Sequence, residues 1–173
     1  RAAFRIQPTQ EGPAGWGGRI RYRAANDLFS LDRFSGWTVT EGESSVLFQA
    51  PDNTLLWELS YAEVRERVAL PNLEGLAENY LGQSEIAKQP GFQQMRGAVV
   101  DDFRWRTEVV YNDPDSGQPM RAALYFEQWG TILFVHKFIA PQAAWPQVRE
   151  WVDRLAGSFE AYEAGLQMIP EGW

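Results

Sequence analysis

The sequence predicts an α+β domain built on an antiparallel β-sheet. A short entry strand, a tight turn and a hairpin are followed by one helix, four more strand-like runs and a closing helix. The chain has 173 residues, of which 45% are hydrophobic, and this is the size and composition of one domain with a single core. Strands joined by such short turns pair antiparallel with their neighbours.

Composition narrows the possible partners. Sixteen basic and 23 acidic residues leave a formal charge of -7, which repels phosphate backbones, so nucleic acid is not an expected partner. Eight Trp, ten Phe and six Tyr exceed what a core of this size requires. Some of these aromatic side chains are therefore candidates for a contact surface, although the core is the alternative place for all of them. No apolar run is long enough to span a bilayer.

An extended N-terminal arm is predicted for residues 1–18. This segment is rich in proline and glycine, which disfavour regular structure. Its apolar side chains Phe4, Ile6 and Trp16 are expected to dock either on the domain itself or on a partner.

An apolar C-terminal tail is predicted for residues 163–173. Its large apolar side chains are too many for a solvated end and are expected to pack against something; they are Leu166, Met168, Ile169 and Trp173. The chain opens on Arg1 rather than on Met, so an anchor upstream of this residue is also considered.

The first strands are predicted from residue 19 onward. Arg19, Arg21 and Arg23 alternate, which places them on one face of a strand, either solvated or in contact with an anionic surface. Further β-forming runs follow at residues 28–31, 37–40, 45–50 and 55–61. Between the last two runs, Pro51-Asp52-Asn53 predicts a tight turn, since proline fixes φ and asparagine tolerates a left-handed backbone.

Two helices are predicted from apolar residues at helical spacing. The first follows Asn72 as its cap and has one apolar stripe over residues 73–81, so it is expected to lie on the sheet. The second covers residues 142–155, accommodates Pro146 in its first turn and ends at Gly157.

Two hairpins are predicted between the helices. Their strands are expected at residues 95–100, 103–111, 120–129 and 131–139. The loop at 112–117 and a tight reversal at Gly130 join these runs into a meander of antiparallel neighbours.

The order of these elements resembles that of the PsbP/Mog1-like fold superfamily. The resemblance covers residues 27–162 and depends on four features. They are Leu28-Phe29-Ser30-Leu31 followed by Gly36-Trp37, the helical run 73–81, the hairpin from Tyr125-Phe126 to Phe138, and the closing run from Trp145 through Val152 to Ser158-Phe159. All are packing and turn residues, so their joint order carries the resemblance.

The resemblance implies a central antiparallel sheet with helices on both faces, an α/β/α sandwich, in a domain of residues 19–162. It also implies function by binding rather than by catalysis, without a cofactor, as in PsbP-like accessory proteins and related bacterial lipoproteins. Because one fold hosts unrelated roles, the resemblance does not identify the partner.

The sequence carries no recognisable catalytic motif. His136 is the only histidine and there is no cysteine, so a catalytic triad or a multi-histidine metal site would have to include this residue. Alternation along the strand at 131–139 places it beside Phe134 and Phe138, which is typical of a satisfied core histidine. The protein is therefore not expected to be an enzyme.

The oxygen-rich loop at 112–117 is a candidate metal-binding loop. Asp113 and Asp115 stand at alternate positions, as ligands do in calcium loops, but the loop lacks the bidentate glutamate of such sites. The same residue types form ordinary hairpin turns, and we favour that interpretation.

Four aromatic residues leave two interpretations open. Trp57, Trp105, Tyr125 and Trp129 either line a groove for an apolar segment or ligand, or are buried against the helices. Together with the two ends of the chain, this set supplies the predicted partner-binding residues, which are Phe4, Ile6, Trp16, Trp105, Trp129, Leu166 and Trp173.

These patterns favour a non-enzymatic accessory subunit outside the cytoplasm. We expect it to dock through its two apolar ends on the periplasmic, lumenal or cell-surface side of a membrane protein complex, of photosynthetic or respiratory type. The alternative is a chaperone or ligand-binding lipoprotein that cradles an apolar segment on its sheet face, which requires an exposed apolar concavity.

Overall fold

The computed structural model describes residues 12–64, 70–101 and 104–162, which form two antiparallel sheets and two helices. The strands are β1 (Arg19–Arg23), β2 (Phe29–Phe34), β3 (Thr38–Glu41), β4 (Ser45–Gln49), β5 (Leu56–Glu63), β6 (Gln93–Gln94), β7 (Ala98–Val99), β8 (Arg104–Asn112), β9 (Pro119–Trp129), β10 (Ile132–Pro141) and β11 (Glu160–Ala161). The helices are α1 (Leu70–Gln83) and α2 (Trp145–Gly157).

The strands are divided between a large and a small sheet. The large sheet has the order β3-β4-β5-β10-β9-β8-β6, with β7 also paired to β8, and the small sheet has the order β1-β2-β11. Every pairing is antiparallel. The meander β8-β9-β10 follows chain order, as its turn sequences predict. The predicted α+β class with a large antiparallel sheet is therefore confirmed.

Tight turns occur where the sequence predicts them. A short 3₁₀ turn at Pro51–Asn53 joins β4 to β5, and within it Asp52 and Asn53 take positive φ values of 59° and 52°. Gly130 has a φ of 61° between β9 and β10. Glycine adopts this left-handed conformation without the Cβ clash that other residues meet, so the chain reverses directly there.

Both predicted helices are present, and one boundary is corrected. α2 contains Pro146 in its first turn and ends where predicted, while Gln142–Ala144 ahead of it form a 3₁₀ turn. α1 begins at Leu70, so Asn72 lies inside the helix rather than at its cap. Pro71 explains the earlier start, because proline is favoured in the first helical turn, where its missing N–H removes no intrahelical hydrogen bond.

Alternating residues of the large sheet belong to two hydrophobic clusters. One cluster joins α2 and the small sheet to strand residues such as Trp57, Tyr125 and Phe138. The other joins α1 to strand residues such as Trp105 and Phe126. Successive strand residues point to opposite faces, so the neighbours Tyr125 and Phe126 fall in different clusters. Each helix thus packs against a different set of strand residues.

The described part of the N-terminal arm packs on the domain through Trp16. This side chain is 1% exposed, and its ring centroid lies 5.0 Å from that of Phe34 and 5.0 Å from that of Trp37. A Cβ at Gly36 would lie 2.4 Å from the Gly15 carbonyl oxygen, so this close backbone approach requires glycine. Of the two positions expected for Trp16, the structure shows packing on its own domain.

Replacing Trp16 with Ala is expected to lower the free energy of unfolding by about 3–5 kcal/mol, because it leaves a cavity beside two aromatic rings. Ile20→Ala is the control, since Ile20 is 41% exposed, and it should change this free energy by less than about 0.5 kcal/mol. Urea denaturation of the two variants measures the difference. Equal stability of the two variants would show that the arm is not part of the core.

Candidate functional site

A polar cleft lies between α2 and the face formed by β8 and β9. We call it the α2–β8 cleft, and its volume is about 470 Å³. The strands contribute Arg104, Arg106, Glu108 and Tyr125 to its wall, and α2 contributes Arg149, Asp153 and Gly157. A recess of about 360 Å³ adjoins the cleft, because both are lined by Arg104 and Gly157, and Trp129 and Tyr162 line the recess further on.

The polar wall results from alternation along β8. Arg104, Arg106 and Glu108 point to the cleft side of the strand, whereas Trp105 packs in the cluster of α1. Across the ladder, Arg104 lies directly opposite Glu127 on β9. The cleft side of these two strands therefore carries charges where the other side is apolar.

Glu127 is a fully buried carboxylate next to the cleft. It is 0% exposed, and three side chains bind it: Arg104 Nε at 2.9 Å and His136 Nε2 at 3.1 Å contact Oε2, and Trp129 Nε1 at 2.8 Å contacts Oε1. Burial by itself raises the pKa of this carboxyl, but the interaction with His136, followed by the charge of Arg104 and the hydrogen bond from Trp129, outweighs burial and lowers its pKa. Glu127 is thus held ionised, with Arg104 linking it to the cleft.

His136 is buried, and both of its ring nitrogens are used. The Trp57 indole N–H can only donate and lies 3.3 Å from Nδ1, so Nδ1 is the acceptor. Nε2 then carries a proton and donates it to Glu127. The structure therefore shows a core histidine with satisfied hydrogen bonds, as the strand pattern predicts.

A second set of paired charges forms the rest of the wall. Arg106 Nε donates to the Tyr125 hydroxyl at 2.9 Å, and this hydroxyl donates to Asp153 on α2. Glu108 accepts from Arg106 Nη1 and from Arg121 Nε, both at 2.6 Å. Burial and the bond to Asp153 raise the pKa of Tyr125. Burial opposes ionisation of Glu108, but the hydrogen bonds from Arg106 and Arg121 outweigh it and lower its pKa.

The loop between β8 and β9 is a hydrogen-bonded turn. The Asp113 carboxylate accepts the Asp115 N–H at 2.9 Å, and the Asp113 carbonyl accepts the Gly117 N–H at 2.8 Å. Within residues 12–64, 70–101 and 104–162, no three His, Cys, Asp or Glu side chains are grouped as metal ligands. The Asp113 side chain is thus engaged in the turn itself.

The predicted partner-binding residues fall in three kinds of place. Trp16 and Trp105 are 1% and 3% exposed, so the protein itself covers their indoles and neither faces a partner in this structure. Trp105 closes over Gly97, where a Cβ would lie 1.8 Å from the indole, so glycine at this position makes room for the ring. Trp129 is half-buried and lines the recess. The other predicted residues lie outside the described ranges: Phe4, Ile6, Leu166 and Trp173.

The charged residues of the cleft are not predicted from the sequence. A signal for them exists, because Arg104, Arg106 and Glu108 alternate with less polar residues along β8. A solvated strand face gives the same alternation, so the pattern does not by itself indicate a cleft.

The apolar sheet face that a chaperone-like cradle requires is covered. Trp57 and Tyr125 are 0% and 2% exposed and belong to the cluster of α2. In the part of the chain that the structure describes, the large apolar side chains that are exposed are Ile20, Val99 and Val100. The described residues therefore provide no exposed apolar concavity on the sheet face that could act as a cradle.

Replacing Glu127 with Gln is expected to lower the free energy of unfolding at pH 7 by about 3 kcal/mol, because Arg104, Trp129 and His136 lose their charged acceptor. Since the pKa of Glu127 is lowered in the folded state, its ionised form stabilises the fold above the ordinary value of 4.5 and does so less and less as the pH falls below it. The difference between wild type and variant should therefore shrink in acid.

Glu58→Gln is the matched control for this change. Glu58 is 44% exposed at its side chain and pairs with Lys137 at 3.4 Å, so its replacement should cost less than about 0.5 kcal/mol. Urea denaturation at steps between pH 7 and pH 3 provides the comparison. The Glu127 variant could lose the same free energy of unfolding at every pH, or no more than the Glu58 variant loses. Either result would be inconsistent with a buried ionised carboxylate.

The tautomer of His136 gives a further test. Because it is the only histidine, its ring nitrogens are assigned without ambiguity by nitrogen NMR of the labelled protein. At neutral pH we expect the proton on Nε2 and an unprotonated Nδ1 that accepts from Trp57. A proton on Nδ1 would contradict the arrangement described here.

Comparisons with known proteins bear on the fold. No protein-family model and no curated protein matches the sequence. The structure is similar to that of the Ran-binding protein Mog1p of Saccharomyces cerevisiae, with a TM-score of 0.66 and 8% identity over 87% of this chain and 98% of the other. It is also similar to cyanobacterial PsbP (CyanoP) from Synechocystis sp. PCC 6803, with a TM-score of 0.61 and 14% identity over 87% of this chain and 96% of the other.

A third similar structure is LpqN of Mycobacterium tuberculosis, which is involved in cell envelope biogenesis. Its TM-score is 0.51, with 12% identity over 82% of this chain and 88% of the other. Likeness at such low identity shows the fold and nothing finer. The chain has the PsbP/Mog1-like fold that the order of its elements predicts.

Proposed function

We propose that this protein is a non-enzymatic accessory subunit that binds a segment of another protein in the α2–β8 cleft. One observation carries the proposal: the cleft is open, and its wall holds arginines and ionised acids in fixed hydrogen-bonded positions. Such a wall is arranged in advance, so little side-chain ordering is needed when a partner binds.

The protonation states of the wall support binding rather than proton transfer. The lowered pKa values of Glu108 and Glu127 keep both carboxyls ionised near neutral pH, and the raised pKa of Tyr125 keeps its phenol protonated. A general acid or base works best with a pKa near the working pH. All three shifts move the pKa of the group further from neutral pH.

The chemistry of the rim indicates the kind of segment that fits. Val99 and Val100 are 57% and 49% exposed, and Val100 lines the cleft. Arg149, on the exposed side of α2, forms no ion pair with another residue of the described ranges. A segment that combines apolar residues with an acidic one would match this rim. The separate clusters of α1 and α2 support placing the helices on opposite faces of the sheet, with the cleft on the α2 side.

The chain ends are proposed as further contacts with the same partner. Tyr162 lines the recess next to the cleft and directly precedes the tail at 163–173 in the sequence. Trp129, another predicted partner-binding residue, lines the same recess. The contacts proposed for the two ends are those of Phe4, Ile6, Leu166 and Trp173.

We further propose that the partner is a protein subunit on the extracytoplasmic side of a membrane complex, in a periplasmic, lumenal or cell-surface setting. The likeness to CyanoP and to LpqN supports this setting. Among the described residues, no helix is both long and apolar enough to cross a membrane. Any attachment of this part of the chain would then be peripheral.

A leucine at position 157 tests the cleft. A Cβ at Gly157 meets no atom within 4 Å, so Gly157→Leu should fold normally while its side chain occupies the point shared by cleft and recess. Gly75→Leu is the matched control, because this exposed α1 glycine also has open space around it. Arg149→Glu tests the contribution of this rim arginine separately.

The measurement is recovery of partner subunits from detergent-solubilised native membranes on the tagged full chain, followed by mass spectrometry. We expect one membrane complex with the wild type and with the Gly75 variant, and about tenfold less of it with the Gly157 variant. Equal recovery with all variants would exclude the cleft as the binding site. If only soluble proteins are recovered, the membrane setting is wrong.

A further inference from the structure

Among the described residues, β1 is an edge strand with no strand on its outer side. It stands at the end of the small sheet and, within the described ranges, pairs with β2 alone. Its residues are exposed except for Tyr22, which is half-buried. Arg19–Arg23 pairs with β2 in continuous register and contains no proline, so nothing in the strand itself prevents a further strand from pairing with it.

Two backbone hydrogen bonds frame the ladder between β1 and β2. At one end, the Ala24 N–H donates to the Phe29 carbonyl at 3.0 Å. At the other end, the Ser35 N–H donates to the Gly18 carbonyl at 2.8 Å. In an antiparallel ladder, hydrogen-bonded pairs alternate with non-hydrogen-bonded pairs, so these two bonds determine the direction of every peptide group between them.

The alternation directs the N–H and C=O groups of three β1 residues outward. Gly18 and Ala24 are the residues on the β1 side of these two bonds, and every second residue between them is also hydrogen-bonded to β2. These residues are Ile20 and Tyr22. The N–H and C=O groups of Arg19, Arg21 and Arg23 therefore point away from β2, and in the described structure no backbone or side chain bonds to them.

Asp32 on β2 independently shows the same alternation. It lies opposite Arg21, and its N–H points away from β1 and donates to the Ser158 hydroxyl at 2.9 Å. The pair formed by Arg21 and Asp32 is thus a non-hydrogen-bonded pair, as the frame of the ladder requires.

We propose that the outer edge of β1 binds an extended segment of another protein, which adds to the small sheet as a fourth strand and carries acidic residues at alternate positions. The outward groups of Arg19, Arg21 and Arg23 supply the backbone hydrogen bonds of this strand addition. The surface is separate from the α2–β8 cleft, and the proposal does not depend on the function assigned to that cleft.

The side chains of β1 select the acidic residues. Arg19, Arg21 and Arg23 have side-chain exposures of 39%, 39% and 58%. Residues of an added strand that lie opposite them would have their Cβ atoms about 5 Å away. All three arginines already pair with acids of the protein: Arg19 and Arg21 with Asp32 on β2, Arg21 also with Glu160 on β11, and Arg23 with Asp27. Because each arginine side chain keeps more than a third of its surface exposed, an acid on an added strand can still reach it.

The other face of β1 selects an apolar residue between the acids. Ile20 points to the opposite face from the arginines and is 41% exposed. An apolar residue opposite it would cover this side chain. The segment that fits thus alternates acidic and apolar residues, which is the pattern of a strand.

A second copy of this chain does not fit the same edge. If two β1 strands paired antiparallel about Arg21, each Arg19 would face the Arg23 of the other copy, and the two Arg21 residues would face each other. Like charges directly opposite one another in a ladder are destabilising. The arginines thus admit an acidic strand and oppose self-association.

Amide exchange of the nitrogen-labelled full chain tests the proposal. The probes are three peptides about eight residues long: one alternates Glu with Val, one alternates Lys with Val, and one has the composition of the first with its glutamates grouped. We expect the first alone to slow exchange at Arg19, Arg21 and Arg23. The amides of Ile20 and Tyr22, which already bond to β2, should change little.

Substitutions at Arg21 separate backbone pairing from charge. Arg21→Pro and Arg21→Ala both remove the guanidinium, but the proline also removes an outward N–H while leaving the inner bonds of Ile20 and Tyr22 in place. Affinity for the Glu peptide should fall about threefold with alanine and about tenfold or more with proline. Equal loss in the two variants would show that charge alone attracts the peptide and would overturn strand addition.

A charge reversal keeps the test valid even if the proline variant does not fold. In the double variant Arg19→Glu and Arg23→Glu, preference should switch from the Glu peptide to the Lys peptide. Three results would overturn the proposal. They are an unchanged preference in this variant, equal protection by the grouped-glutamate peptide, and amides of Arg19, Arg21 and Arg23 that are already protected in the free protein.

Discussion

The buried carboxylate of Glu127 restricts how four neighbouring strands can pair. An ionised carboxylate without solvent contact is strongly unfavourable unless hydrogen-bond donors surround it. Arg104 on β8, Trp129 on β9 and His136 on β10 bind it, and Trp57 on β5 binds His136 in turn. These strands are consecutive in the order β5-β10-β9-β8. A slip of one residue in any pairing would turn a donor to the other face and leave the charge unpaired. The network therefore helps to specify the register of the sheet.

The same interaction accounts for the cleft. Arg104 is 13% exposed at its side chain and lies between the buried Glu127 and the more exposed Asp101, with both contacts at 2.9 Å. Its guanidinium is held from two sides and remains in the wall of the cleft rather than extending into solvent. The small residues Ala156 and Gly157 at the end of α2 leave the space in front of it open. Packing and electrostatics together thus produce a fixed, polar surface on an otherwise apolar side of the sheet.

Local signals in the sequence predict the elements of the fold, and long-range pairings are what they miss. The turn at Pro51–Asn53 and the reversal at Gly130 depend on backbone preferences within a few residues, so they are predictable. The start of α1 is misplaced because Pro71 and Asn72 give competing signals. His136 is predicted as a core residue from alternation alone. Its partner Glu127 is not, because the contact depends on the pairing register of β9 and β10, which composition does not determine. Trp16 and Trp105 are expected at a contact surface but lie in the core. The sequence does not separate these two positions, because an aromatic side chain suits both a core and an interface.

Both surfaces inferred here combine arginines with open space on a rigid framework, and this differs from the apolar contact surface that aromatic content suggests. The coupling between Arg104 and Glu127 joins the buried network to the cleft. A double-mutant cycle of unfolding free energies with Arg104→Met and Glu127→Gln measures this coupling directly. We predict a coupling energy of about 2 kcal/mol. Effects that add to within about 0.5 kcal/mol would contradict the claim that the buried carboxylate holds the arginine in the cleft.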